Sequence, residues 1–189
     1  MTVEEIFSNL IAHMKKGLNM HNDLAMIFGF LNLKGYQKCH EYHYFEESRN
    51  YRDLQNFYLE NYHKMVSIKE IEKIEVIPTS WFKHIKSDVD TNTKRSAIRD
   101  MTKIWVDWEK ETKKLLESNY KELQEQGEIF AALKIANCLK DVAEELLIAE
   151  EKQIDCETFG YDITSIIEEQ ISLYKKYKKL INKIHEGDD

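Results

Sequence analysis

The run His40-Glu41-Tyr42-His43-Tyr44-Phe45-Glu46-Glu47-Ser48-Arg49-Asn50 contains the residue types from which metal sites and buried polar networks are built. Read as helix, it stacks His40, His43, Glu47 and Asn50 on one face, and Leu54 and Phe57 continue that face for two more turns. A stripe that ends in Leu and Phe is a core stripe, so the imidazoles and the carboxylate are expected inside. Each buried polar group costs about 1–3 kcal/mol unless it is paired. Two solutions are open. One is a polar network with Tyr44, Tyr51 or Asn50 as partners. The other is a metal ion, since carboxylate oxygens and neutral imidazole nitrogens suit iron, manganese and zinc.

The elements that must position these groups are helices. The chain has 189 residues with one proline and six glycines, and its apolar residues recur at helical rather than alternating spacing. Thr2 and Glu5 form the pattern of a capping box, predicting a first helix to about residue 32. Its inward stripe is Ile6, Leu10, His13/Met14, Leu18/His21, Leu24/Ala25, Phe28 and Leu31. A tight connection at Lys34-Gly35 leads to a second helix over about 36–66. Ser67 and Glu70 suggest a short capped helix that Pro78 ends. The rest of 67–90 reads as a crossover anchored by Trp81, Phe82 and Ile85. A third helix, capped by Asp90 or Thr91, runs to about 126 with Ile98, Met101, Trp105, Trp108/Glu109, Thr112, Leu115/Leu116, Tyr120 and Leu123 inward. Gly127 turns the chain into a fourth helix, to about 155, with Ile135, Leu139, Val142, Leu146 and Ala149 inward. A fifth starts near Asp162 and carries Ile163, Ile167, Ile171, Tyr174, Tyr177, Ile181 and Ile184 on one side. The expected architecture is all-α: a four-helix bundle of two antiparallel hairpins joined by a long crossover, plus a C-terminal fifth helix. It reads as a single helical-bundle domain over 1–189, divided into a first hairpin (1–66), crossover (67–90), second hairpin (91–157) and C-terminal helix and tail (158–189).

Residues at equal distance from a hairpin turn lie at the same height. With the first turn at 33–35, His21 is level with Glu47. With the second at 126–127, Glu109 is level with Glu144 and Glu145. Four helices then each offer a candidate metal ligand: His21; Glu47 with His43; Glu109; and Glu145 or Glu144. Asp141, one turn before Glu145, is within reach of the same level.

Composition narrows the function. The net charge of −7, from 34 acidic and 27 basic residues, argues against nucleic acid as a partner. No run is long and apolar enough to span a membrane, and the N-terminus lacks the basic start and apolar stretch of a signal peptide. Cys39, Cys138 and Cys156 form neither a zinc pattern nor a paired disulfide set. Reduced thiols in a cytoplasmic protein are the expectation. Isolated glycines exclude a phosphate loop or a dinucleotide fingerprint.

The segment Asn32-Leu33-Lys34-Gly35-Tyr36, followed by Phe45-Glu46-Glu47-Ser48-Arg49-Asn50, resembles the hairpin of the ferritin-like superfamily, in which a Leu-Lys-Gly-Phe turn precedes a helix carrying Glu-x-x-His. Glu47 falls on the family's glutamate, and Asn50 stands where the family has histidine. The fourth helix offers Asp141-Val142-Ala143-Glu144-Glu145 with no histidine, and His21 stands nearest to the family's first-helix glutamate. The resemblance covers about 2–155. It implies a ferritin-like scaffold with degenerate di-metal carboxylate motifs rather than an intact di-iron set. A shorter likeness, His43-x-x-x-Glu47 to the hemerythrin motif, lacks the His-x-x-x-His that should follow.

Two functions are compatible with this reading. The first is a metal-binding bundle with an oxidase-like or metal-handling role, holding iron or manganese ahead of zinc through His21, His43, Glu47, Glu109 and Glu145 or Glu144, with Asn50 and Tyr51 behind them. The second is a non-enzymatic bundle without a cofactor, whose polar core is structural and which binds a protein partner or a second copy of itself. In that case the amphipathic fifth helix is the expected assembly element.

Overall fold

The computed structural model describes residues 1–66 and 89–186. Five helices account for most of them: α1 (Val3–Phe30), α2 (Lys34–Tyr62), α3 (Thr91–Glu125), α4 (Ile129–Thr158) and α5 (Ile163–Glu186). The expected short helix after Ser67 and the anchors Trp81, Phe82 and Ile85 lie outside the described residues.

The helix starts are chemically marked. The Thr2 hydroxyl accepts the Glu5 N–H, and Glu5 returns a hydrogen bond from the Thr2 N–H at 2.8 Å, completing the capping box. Asp90 caps α3 by accepting the Thr93 N–H at 2.9 Å. Between α1 and α2 the turn is Leu31–Leu33, with Asn32 in the left-handed region at φ 59°. Asparagine tolerates that conformation better than most residues. Gly35, expected in the turn, is instead inside α2, where a Cβ would collide with the Gln170 backbone of α5. Gly127, at φ 76°, does make the α3–α4 turn.

α1 pairs with α2 and α3 with α4 as antiparallel hairpins. Side-chain contacts fix how the pairs face each other. His13 meets Thr112 and His21 faces Glu109, so α1 and α3 are antiparallel; Tyr62 meets Glu128 and His43 faces Glu145, so α2 and α4 are antiparallel too. α2 and α3 are therefore parallel, and the chain between them joins opposite ends of a bundle about 45 Å long.

α5 lies parallel to α2 and packs along it: Tyr42 is paired with Tyr177 and Phe45 with His185. Its buried side chains are Ile166, Leu173, Tyr177 and Ile181, whereas Ile167, Ile171 and Ile184 are exposed. Tyr177 and Ile181 are thus inward as expected, whereas in the first half of α5 Ile166 and Leu173 take the inward places expected for Ile167 and Ile171. Close approach at Gly35 decides this by seating Gln170 against the start of α2. The Gln170 side-chain oxygen accepts the Gly35 N–H at 2.7 Å, which satisfies backbone that Leu33, the N-cap residue, leaves uncapped.

The core falls into two apolar clusters. One contains Met20, Leu24, Phe28, Tyr36, Cys39, Ile98, Met101, Trp105, Leu146 and Tyr177. The other contains Ile6, Phe7, Leu10, Met14, Leu54, Tyr58, Leu116, Ile135 and Val142. Between them, at mid-height, lies a polar layer.

Candidate metal centre

All four bundle helices contribute to that layer. His21 comes from α1, His40, His43 and Glu47 from α2, Glu109 from α3 and Glu145 from α4. The first five are at most 2 % exposed, and the Glu145 side chain is 13 % exposed. Their inward placement follows from the stripes: each occupies a position where the neighbouring turns carry Leu, Met, Trp or Val.

Contacts within the layer are incomplete. His21 Nδ1 and His40 Nδ1 are 2.9 Å apart, so one carries the hydrogen and the other accepts it. Trp105 Nε1–H donates to Glu109 Oε1 at 3.1 Å. The remaining approaches are longer than hydrogen bonds: His21 Nε2 to Glu109 Oε1 at 3.8 Å and His43 Nδ1 to Glu145 Oε1 at 3.9 Å. His21 Nε2, both ring nitrogens of His43, Glu47 Oε2, Glu109 Oε2 and Glu145 Oε2 are buried without any hydrogen-bond partner. Most buried polar groups in native proteins are paired, so such a concentration in one layer needs a cause. Among the described residues, no three His, Cys, Asp or Glu side chains converge at metal-bonding distance.

Electrostatics assign the protons. Burial pushes Glu47 well above the usual carboxylate range, and the nearby Glu145 charge adds to this. Glu109 is raised in the same way, by burial, then Glu145, then Glu47. Burial holds His21 and His40 well below the usual imidazole range, with neighbouring imidazoles adding to the shift. For His43 burial works against the cation, but Cys39 and Glu145 work for it and prevail. Burial therefore favours the protonated form of Glu47 and Glu109, and Cys39 and Glu145 favour the cationic form of His43.

The aromatic surround is dense. His21 stacks on His40 and His43, His40 stacks on Phe28 at 5.4 Å, and the Trp105 ring abuts all three imidazoles. Tyr177 of α5 reaches His43, with ring centroids 6.0 Å apart.

Of the six candidate ligands read from sequence, the structure brings together His21, His43, Glu47, Glu109 and Glu145. Glu144 is outside: its side chain is 69 % exposed and faces Lys140 at 3.9 Å. Asp141 is also exposed. The heights shift as well. Because the turn centres on Asn32, His21 is level with His40 and His43, and Glu47 lies about a turn further along α2. Asn50 and Tyr51 are half-buried, and Tyr51 packs with the second apolar cluster. Sequence reasoning did not single out Trp105 as the donor to Glu109, His40 as the direct partner of His21, or Cys39 and Tyr177 as neighbours of His43. The Trp105–Glu109 contact is an i, i+4 pair and was visible in principle. His13, for which the sequence offers no partner, is buried with Nε2 2.8 Å from the Thr112 hydroxyl. That hydroxyl donates to the Trp108 carbonyl, so His13 must be the donor to it.

No family model and no curated protein matches the sequence. Solved structures do match by shape. An open-pore ferritin from the hyperthermophilic archaeon Archaeoglobus fulgidus superposes with a TM-score of 0.72 at 14 % identity, covering 90 % of this chain and 94 % of that one. A closed form engineered from the A. fulgidus ferritin gives a TM-score of 0.74 at 13 % identity, covering 90 % and 93 %. Taken with the helix order, the two hairpins and the parallel α2–α3 connection, these likenesses establish that the chain has the ferritin-like fold, an all-α four-helix bundle with a fifth, C-terminal helix.

Proposed function

We propose that the mid-bundle layer binds a transition-metal ion, iron or manganese ahead of zinc, and that the protein has a metal-handling or oxidase-like role. The observation that carries this reading is the set of buried, unpartnered nitrogen and oxygen atoms on His21, His43, Glu47, Glu109 and Glu145. Two imidazoles and three carboxyls form a donor set suited to these ions. Separations of 3.8 and 3.9 Å are too long for hydrogen bonds, yet short enough for both atoms of a pair to bond one ion at about 2.1 Å. The ferritin-like fold of the A. fulgidus structures agrees with this reading without supplying the ligand set, because this chain has Asn50 and no fourth-helix histidine.

A bound iron or manganese ion would supply redox chemistry toward oxygen species. The chain's own groups have separate tasks. His40 fixes which nitrogen of His21 carries hydrogen, and thereby which lone pair faces Glu109. Trp105 orients Glu109 through Oε1 and leaves Oε2 free. Glu47, Glu109 and His43 hold protons that ligation displaces. The apolar clusters above and below keep water out of the layer. The alternative reading, a non-enzymatic interaction bundle, draws on the exposed apolar face of α4.

The test is elemental analysis of protein purified without chelators, followed by titration of stripped protein with Fe(II), Mn(II) and Zn(II) by calorimetry and thermal melting. Stoichiometric binding with a raised melting temperature is expected, and both are lost in His43→Ala and Glu145→Ala. If no ion binds the wild-type protein, the reading fails.

A further inference from the structure

The outer face of α4 carries large apolar side chains that no part of the described structure covers. Phe130, Leu133, Leu147 and Ile154 are between 56 and 77 % exposed. They fall on a strict three–four spacing together with Asn137, Lys140, Glu144 and Glu151, all exposed as well. That spacing over 130–154 is the spacing of a coiled-coil seam, with apolar residues toward both ends and polar ones between them, and differs from the wider stripe of a helix that packs only into its own bundle. The inward stripe of the same helix, Ile135, Val142, Leu146 and Ala149, is already buried against the bundle.

The seam is self-complementary when reversed. Laid antiparallel on itself about position 142, it sets Phe130 opposite Ile154, Leu133 opposite Glu151, Asn137 opposite Leu147 and Lys140 opposite Glu144. A two-fold axis produces such reciprocal pairing, in which residue i meets j and j meets i. The apolar residues then cluster at both ends of the contact, and the centre holds two Lys–Glu pairs. Ala143, exposed and small, flanks the centre and lets the helices approach. A parallel pairing would instead set Lys140 against Lys140 and Glu144 against Glu144. Charge thus selects one orientation and one kind of occupant. We propose that a second copy of this chain docks on the α4 face, antiparallel, with Lys140 of each copy paired to Glu144 of the other.

This inference does not depend on the metal reading, because the face contains none of the layer's five candidate ligands. The test is the mass in solution, by sedimentation equilibrium, of wild type, Lys140→Glu, Glu144→Lys, their equimolar mixture and Phe130→Asp. Each residue is exposed, so circular dichroism should show the helix content unchanged. The wild type should self-associate. Each single charge reversal places like charges opposite one another and should weaken association about ten-fold or more. Mixing the two reversed proteins restores complementary pairs and should recover the wild-type mass as a heterodimer. Phe130→Asp should dissociate the contact and should not be rescued by mixing. A monomeric wild type, equal masses for all proteins, or a mixture that does not recover would each overturn the proposal.

Discussion

The unpartnered Oε2 of Glu47 yields a prediction with an unusual sign. Replacing a buried residue in a native core normally destabilises, but Glu47→Met should stabilise the metal-free protein. Glu47 is 1 % exposed, its Oε2 has no hydrogen-bond partner, and burial favours its protonated form. Removing such a group recovers a penalty of about 1–3 kcal/mol. Methionine is unbranched and similar in length, so misfit should return less than about 1.5 kcal/mol. The net gain is about 1–2 kcal/mol, or roughly 2–8 °C in melting temperature for a chain of this size. The pH dependence supplies a second readout. A carboxyl raised in the fold leaves the unfolded chain with fewer bound protons from pH about 4.3 upward to its folded value, so wild-type stability falls as pH rises through that window. Glu47→Met should flatten the fall. Glu109→Met is the control, because it orphans Trp105 Nε1 and should show no gain. The assay is denaturant and thermal unfolding in chelator from pH 4 to 8, repeated with metal. With metal at a hundred times Kd, the wild type should gain about 2.7 kcal/mol and reverse the order. A Glu47→Met protein less stable than wild type by more than about 1 kcal/mol without metal would refute the reasoning.

Three further outcomes follow from other contacts. Metal binding near pH 7 should release up to three protons, from Glu47, Glu109 and His43, so affinity rises with pH and the calorimetric heat depends on the buffer's ionisation enthalpy; a buffer-independent heat would contradict the proton assignment. His13 is held down to about 4, by burial first and then by Lys16. The unfolded chain takes up that proton below about pH 6.5, so stability should drop by up to about 3 kcal/mol as pH falls from 6.5 to 4; His13→Gln should lessen the slope, and an unchanged slope would count against it. Gly35→Ala should push α5 off α2, costing about 1–3 kcal/mol and speeding proteolysis within α5 before the bundle melts; unaltered protease resistance would show that the close approach is dispensable.

Much of this arrangement was legible in the residues, and the failures have local causes. Helix starts were marked by Thr2 with Glu5 and by Asp90, whose types and spacing suit the unpaired N–H groups of a first helical turn. Glu109 was found because a charge between Trp105 and Thr112 interrupts a strong apolar stripe. Glu144 and Glu145 could not be separated: adjacent helix positions differ by about 100° in direction, and only the packing of α3 against α4 shows which one turns inward. The first-hairpin heights were off by a turn because Asn32, not Gly35, takes the left-handed position. In the first half of α5 two stripes compete, since Ile167 and Ile171 alternate with Ile166 and Leu173, and the winner is set by a glycine 135 positions away from Gln170. Long-range selection of that kind leaves no mark in the local sequence.

The cap that Gln170 provides has a consequence for the order of assembly. α2 carries His40, His43 and Glu47, yet its first turn is completed by a side chain from α5, which leaves the ribosome after all four bundle helices. A nascent chain with only the first hairpin exposed would have the polar layer on an unfinished helix, open to water and lacking Glu109 and Glu145 from the second hairpin. The layer should therefore close late in synthesis, after the second hairpin has emerged, with the start of α2 completed only when α5 docks; a chain stalled before residue 109 should be held as a loose hairpin for chaperones or proteases to act on.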